Sequence, residues 1–292
     1  MMKKFFTVLT IALSIMQLHA QQTEIRRSEY RIMDDDGNFK NVVQLEIGGR
    51  YFYDIDENTH TAIFKRWYGR ENDTELIIPS SIDYNGVTYK IVALGDDVGN
   101  QNEKLEKVII PEGVTRIKGF AYCHGLKNIT IPSSVKEIGS NAFKECVELE
   151  SVVLPEGLST LGYRAFIHCE SLTNIEFPES IYEIERFAFN GCKSLNKIVL
   201  PKGMSQLDPC VFPGCSSLIE IVIPEGVTKI GAGSFDYCRS LKDIFCYSEV
   251  PPKIYQAFDD VPLEQVTVHV PVVKNYKKDI LWKAFGKLVP IQ

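Results

Sequence analysis

Residues 149–171 read Leu149-Glu150-Ser151-Val152-Val153-Leu154-Pro155-Glu156-Gly157-Leu158-Ser159-Thr160-Leu161-Gly162-Tyr163-Arg164-Ala165-Phe166-Ile167-His168-Cys169-Glu170-Ser171, and the same pattern starts again at Leu172. The pairs Ile131-Pro132, Leu154-Pro155, Phe177-Pro178, Leu200-Pro201 and Ile223-Pro224 follow one another at 23 residues. The same step carries Ala142-Phe143 to Ala165-Phe166, Ala188-Phe189, Val211-Phe212 and Ser234-Phe235. It carries Leu149 to Leu172, Leu195, Leu218 and Leu241, and Cys123 to Cys146, Cys169, Cys192, Cys215 and Cys238. A fixed period of this size is the mark of a solenoid, in which each repeat forms one coil.

The unit has a physical reading. Ile175-Glu176-Phe177 alternates apolar and polar residues, which predicts a short strand with one buried face. The proline after it ends the strand, because it cannot donate to a ladder. Glu-Gly, Ser-Ser or Lys-Gly then supplies a turn. Val135 and Ile138 make a second inward pair, and Gly139 turns the chain again. Ala142-Phe143 places one ring in the interior of each coil. Stacking puts identical side chains about 4.8 Å apart. No coil can bury its own face, so the array is cooperative with its neighbours.

These residues resemble the BspA-like, or Treponema-type, leucine-rich repeats of bacterial exported proteins. The resemblance covers roughly residues 76–246, because Ile-Pro, Ile-Gly, Ala-Phe and Cys keep register there. Leu76-Ile77-Ile78-Pro79 with Tyr84-Asn85-Gly86-Val87-Thr88-Tyr89 is similar to its opening repeat. Pro251-Pro252, Ala257-Phe258, Val268-His269-Val270-Pro271, Tyr276 and Trp282-Lys283-Ala284-Phe285 are similar to its closing unit. The implied fold is a mainly β leucine-rich-repeat solenoid of 23-residue coils and short parallel strands, with an N-terminal β cap and a C-terminal cap. Two N-terminal repeats depart from the pattern. The one from Pro111 is two residues short, and the one from Pro79 has Asp96-Asp97-Val98-Gly99 in place of Ala-Phe and Cys. Terminal coils are commonly atypical, since they cover an open core. Asp208-Pro209-Cys210 is expected to distort the fifth repeat.

The segments outside the repeats are expected to fall into three parts. Met1-Met2-Lys3-Lys4, the apolar run Phe5–Leu18 and Ala20 before Gln21 read as a signal peptide over 1–20. The run is shorter than the ~20 residues a bilayer span needs, and no other apolar stretch of spanning length follows. An exported chain in the periplasm, on the cell surface or secreted is the expectation. Residues 21–75 are expected to form a β cap, with strands at Val42–Ile47, Arg50–Tyr53 and Ala62–Phe64. Residues 247–292 are expected to close the other end, with a helical turn or two carrying Tyr276, Ile280, Trp282 and Phe285.

Composition narrows the function. Lys+Arg total 32 against 38 Asp+Glu, a net charge of −6; beyond residue 20 the balance is 30 against 38, or −8. Nucleic acid needs clustered basic charge, so it is not an expected partner. Eight cysteines invite a disulfide framework, but stacked Cβ vectors run parallel and would strain a bridge. Buried thiols acting as small hydrophobes are the expectation. Cys246 falls at an inward position. Cys210 aligns with Asn141, Arg164 and Gly233, which read as exposed, so its redox state stays open.

No Cys-x-x-Cys, His-Glu-x-x-His, Gly-x-Ser-x-Gly or phosphate loop is present. His124 and His168 flank ladder cysteines, but a thiol in an apolar interior is inert. Asp34–Asn38 and Asp54-x-Asp56-x-Asn58 only glance at a calcium loop, lacking its flanking acids or its glycine. No catalytic residue, cofactor or metal is expected.

Between the inward Ile positions of the repeat strand, two columns face out. One is polar: Lys107, Asn128, Ser151, Asn174, Lys197, Glu220 and Asp243. The other is Ile109, Thr130, Val153, Glu176, Val199, Val222 and Phe245, mostly apolar. An exposed apolar row marks an interaction site, although β-branched residues also simply suit strands. Ile109, Thr130, Val153, Glu176, Val199 and Val222 are therefore the candidate contacts for a protein partner. Resemblance implies adhesion to host or cell-surface proteins. The alternative is a carbohydrate-binding accessory protein of the cell envelope, for which Tyr163, Tyr182 and Tyr237 are the aromatic candidates.

Overall fold

The computed structural model describes residues 24–33, 39–70, 73–99 and 101–291. The expected signal peptide and the Asp34–Asn38 run lie outside these residues. Four antiparallel strands open the fold: β1 (Ile25–Met33), β2 (Phe39–Ile47), β3 (Tyr51–Asp56) and β4 (Thr61–Trp67). Three of them fall on the expected strands and run two to four residues longer, β3 starting at Tyr51 instead of Arg50, and β1 is additional. Val87–Asp97 pairs parallel to β4 and passes the sheet on to Arg116–Ile117, so the meander is continuous with the solenoid. Ser81–Tyr84 and Val87–Asp97 form a hairpin closed by Asn85-Gly86, both at positive φ. Asn-Gly is the strongest short-range hairpin signal, because both central residues of such a turn need left-handed backbone.

From Leu105 the chain winds in coils, numbered here 1 (105–125), 2 (126–148), 3 (149–171), 4 (172–194), 5 (195–217), 6 (218–240) and 7 (from 241). The repeat strands stack in parallel as a front ladder: Glu75–Ile77, Lys107–Ile109, Asn128–Thr130 and Ser151–Val153, then Lys197–Val199, Glu220–Ile223, Asp243–Cys246, Thr267–Val270 and Lys287–Pro290. Two-residue strands such as Glu137–Ile138 make a second ladder alongside. In-register pairs such as Ile129 with Val152 and Ile221 with Ile244 confirm the 23-residue step.

The interior repeats what each coil supplies. Phe120, Phe143, Phe166, Phe189, Phe212, Phe235 and Phe258 form one stack with ring centroids 5.1–5.7 Å apart. The amides of Phe143 and Phe166 donate to the carbonyls of Ala165 and Ala188 in the next coil, each at 2.8 Å. Beside the rings runs the thiol column. All eight cysteines are free, and all but Cys210 are buried. Each ladder thiol donates to a carbonyl of the preceding coil, as Cys146 Sγ to Phe120 O (3.1 Å) and Cys192 Sγ to Phe166 O (3.1 Å). Cysteine fits because it is a small hydrophobe that still carries a weak donor. Asn141 and Cys210 are half-buried and Gly233 buried, so that column is less open than its sequence suggested.

The ends are closed. Trp282 and Tyr276 are fully buried over coil 7, with Trp282 Nε1 donating to Pro252 O at 2.8 Å and Tyr276 Oη to Ser248 O at 2.7 Å. The expected turns are a short helix, α1 (Val273–Tyr276), and a 3-10 turn at Trp282–Ala284. Ile280 is 72% exposed and does not join Tyr276, Trp282 and Phe285 in the core.

One expectation fails. Residues 174–176 of coil 4 form no strand, only an isolated bridge between Asn174 and Ser151. The cause is Phe177. Ile131, Leu154, Leu200 and Ile223 all bury at that position, whereas Phe177 stays half-buried with its ring edge-on to Phe189 (5.6 Å, 71°). The ring is too large for the aliphatic slot and holds the segment off its neighbours. The second ladder also stops here, between Glu183–Ile184 and Gln206–Leu207. A seam thus separates coils 4 and 5 on the strand side. Phe177→Leu is expected to restore the strand. The check is hydrogen exchange of the backbone amides at positions 175 and 177, which should slow about tenfold or more, the effect of one stabilised backbone hydrogen bond. Unchanged exchange would mean that the ring is not the wedge.

Candidate functional site

The front ladder displays the two predicted columns outward, but they differ in what they do. The polar column is largely partnered within itself. Lys197 Nζ meets Glu220 Oε1 at 2.8 Å and Ser151 Oγ donates to Asn128 Oδ1 at 2.8 Å, while Asp243 Oδ1 lies 2.8 Å from Nε2 of His269, which stands in line with Phe245. These groups offer little unsatisfied bonding to a ligand.

The apolar column is bare in its middle. Val153 is 72% exposed and Val199 46%, with Thr130 and Glu176 also exposed. Ile109, Val222 and Phe245 are half-buried, and Phe245 stacks flat on His269 at 4.1 Å. Ladder register brings Thr130 beside Val153 and Val199 beside Val222 and Phe245. Glu176 lies off the ladder because coil 4 has no strand there.

That defect builds a groove of about 350 Å³ on the same face, lined by Val153, Leu154, Glu156, Glu176, Phe177 and Pro178 among others. Leu154, Phe177 and Pro178 give it an apolar side, while Ser151 and Asn174 also line it. Among the described residues neither Glu156 nor Glu176 has a cation within ion-pair distance, so two uncompensated carboxylates stand at the rim. The repeat motif gave no sign of the groove; only the aromatic Phe177 in an aliphatic column could have pointed to it.

Other candidates are structural. Asp54 accepts from Tyr30 Oη (2.8 Å) and Gln44 Nε2 (3.2 Å), while Asp56 Oδ1 caps the amides of Asn58 (2.9 Å) and Thr59 (3.2 Å). Both carboxylates of the calcium-like run are thereby engaged. Among the described residues no cluster of three or more His, Cys, Asp and Glu is arranged to hold a metal. Burial pushes the ladder thiols up, Cys123 and Cys238 to about 12, which leaves them protonated and unreactive near neutrality. The three tyrosines do not converge. Tyr182 and Tyr237 are exposed on different coils, and Tyr163 is half-buried against Arg164 and Phe187.

Fold and surface together define a leucine-rich-repeat solenoid that presents a sheet face. The chain belongs to the family described as BspA type leucine rich repeat region, whose sequence profile matches in 6 copies over residues 95–219 and 159–278. Its structure is similar to a Treponema pallidum leucine-rich repeat protein, with TM-score 0.61 and 30% identity over 66% of this chain and 88% of that one. A leucine-rich repeat protein from Bacteroides ovatus shares the fold, with TM-score 0.56 and 23% identity over 83% and 75%. No curated protein matches the chain. Among the described residues no helix is long and apolar enough to cross a membrane.

Proposed function

We propose that the protein is a non-enzymatic, exported interaction module that binds another protein through its strand face. The observation that carries this reading is the bare apolar column beside a self-satisfied polar one. Parallel sheets are ordinarily covered on both faces, and here Val153 and Val199 stand uncovered, Val153 in the wall of a groove. Ile109, Thr130, Val153, Glu176, Val199 and Val222 are the contacts, with an apolar partner side chain seated in the groove and a basic one against Glu156 and Glu176. A surface of this kind fits adhesion to host or cell-surface proteins. The basic start and apolar run of residues 1–20 support export.

The test uses residues 21–292 as bait against the bacterium's envelope fraction and host matrix proteins, beside a Val153→Glu/Val199→Glu/Val222→Glu chain. These side chains are exposed or half-buried, so the variant should keep its melting temperature, as surface changes typically cost under about 0.5 kcal/mol. A captured partner should be lost by the variant, with affinity falling at least about tenfold. Equal capture by both chains would remove the strand face from the proposal.

A further inference from the structure

Beyond the second ladder, away from the strand face, the coils turn through left-handed backbone at two positions. One position is held by Asn141, Arg164, Phe187, Cys210, Gly233 and Gln256, all at positive φ. Asn and Gly suit such a turn; Arg and Phe do not gain from it. The two large residues are adjacent in the stack and gather two more.

Arg164 is held between rings. Its guanidinium carbon lies 4.7 Å from the Tyr163 ring centroid and 5.6 Å from that of Phe187. Arg186 from the next coil lies 5.8 Å from the Phe187 ring, and the two rings meet edge to face at 5.9 Å. Arg164 Nε is buried and has no hydrogen-bond partner. Among the described residues neither arginine makes an ion pair. The nearby carboxylates are engaged elsewhere: Glu185 Oε2 accepts the Tyr163 amide at 2.7 Å, and Glu145 Oε1 lies 3.7 Å from Lys144 Nζ.

Two guanidiniums without counter-charge, one with a buried donor unused, are unexpected in a chain of net charge −6. A buried N–H left unmade costs free energy, and because Arg164 Nε is shut off from solvent it is the terminal nitrogens of the fork that would meet an acceptor from outside. Guanidinium forks match the planar pair of oxygens of a carboxylate, and bind sulfate in the same way. The rings beside them add surface on which the C–H face of a sugar packs.

We propose that Tyr163, Arg164, Arg186 and Phe187 form a binding site for an acidic glycan, its carboxylate or sulfate held by the two arginines and its ring laid against the aromatic edges. An acidic polypeptide would use the charge but not the rings, and free sulfate would use the arginines alone. The site is separate from the strand face and stands or falls independently of it.

The test is titration of the full chain by calorimetry with four probes: a galacturonic acid tetrasaccharide, a heparin tetrasaccharide, neutral maltotetraose and inorganic sulfate, with a hexaglutamate peptide as a fifth. At least one acidic tetrasaccharide should bind, more weakly as salt rises, and more tightly than sulfate or the peptide; maltotetraose should not bind. Arg186→Gln removes an exposed cation and should keep the fold while lowering affinity about tenfold or more, the loss of a charge-assisted hydrogen bond. Arg164→Lys keeps the charge but not the fork and should also weaken binding. No binding of either acidic tetrasaccharide overturns the proposal. So does equal binding of maltotetraose, sulfate or the peptide, and so does affinity unchanged in both variants.

Discussion

Above about pH 8.5, where unfolded thiols begin to ionise, the protein is expected to lose stability at on the order of 9 kcal/mol per pH unit. The seven buried thiols cause this. Burial raises every one of them: Cys123 and Cys238 to about 12, and Cys146, Cys169, Cys192, Cys215 and Cys246 likewise upward. Below the unfolded pKa both states keep the proton and pH has no effect through these groups. Above it the unfolded chain releases protons that the native column retains. Each thiol then favours unfolding by about 1.4 kcal/mol per unit, until the native thiols ionise in turn. Net stabilities of ~5–15 kcal/mol leave room for only one or two such units. Buried Tyr53 and Tyr276, also raised by burial, add the same sign above the ordinary tyrosine range. Thermal melts from pH 7 to about pH 10.5 check this. Replacing Cys169 and Cys192 by Ala should flatten the slope by ~3 kcal/mol per unit. A melting temperature flat through pH 10 would contradict the account.

Phe189→Ala is expected to cost about 4 kcal/mol, the middle of the range for a buried ring. Phe189 is fully buried, 5.3 Å from Phe166 on one side and 5.3 Å from Phe212 on the other, with Phe177 edge-on. Its removal opens a cavity that rigid neighbours cannot fill. It also sits at the seam, where little else joins coils 4 and 5. Solenoid stability is roughly a sum of coil terms and nearest-neighbour terms, so weakening this junction should also split the denaturant transition in two. The check is a urea titration followed by circular dichroism. A single transition displaced by less than ~1 kcal/mol would show that the junction is held by something other than the ring stack.

What could be read from the sequence was whatever repeats. Phe143, Phe166 and Phe189 recur in register, so their stack and the thiol column beside them were legible, as was the outward facing of Val153 and Val199. Features that occur once were not. Phe177 passed as one more apolar residue before a proline, because alternation records polarity and not volume. β1 escaped because its alternating charges, from Arg26 to Arg31, carry no buried face. The Asn85-Gly86 hairpin was signalled by its turn but masked by the expectation of a regular repeat. The Arg164 site is set by side chains from two coils, a proximity that appears only once the 23-residue step is wound into space.

The seam has a mechanical consequence. Backbone hydrogen bonds between coils run along the axis of the stack, so tension applied at the two ends loads each junction in turn. Between coils 4 and 5 both strand ladders are missing, and apart from the local turn bond from Leu195 to Cys192 four backbone bonds remain: Phe187 to Cys210, Phe189 to Val211, Gly191 to Pro213, and Ser217 to Lys193. Three of these lie on the turn side, opposite the groove. A molecule anchored at one end and held at the other would therefore bend open at its middle, with the turn side as hinge. The strand side between Phe177 and Leu200 opens first, so a load on the protein is felt beside its proposed contact surface before any coil unwinds.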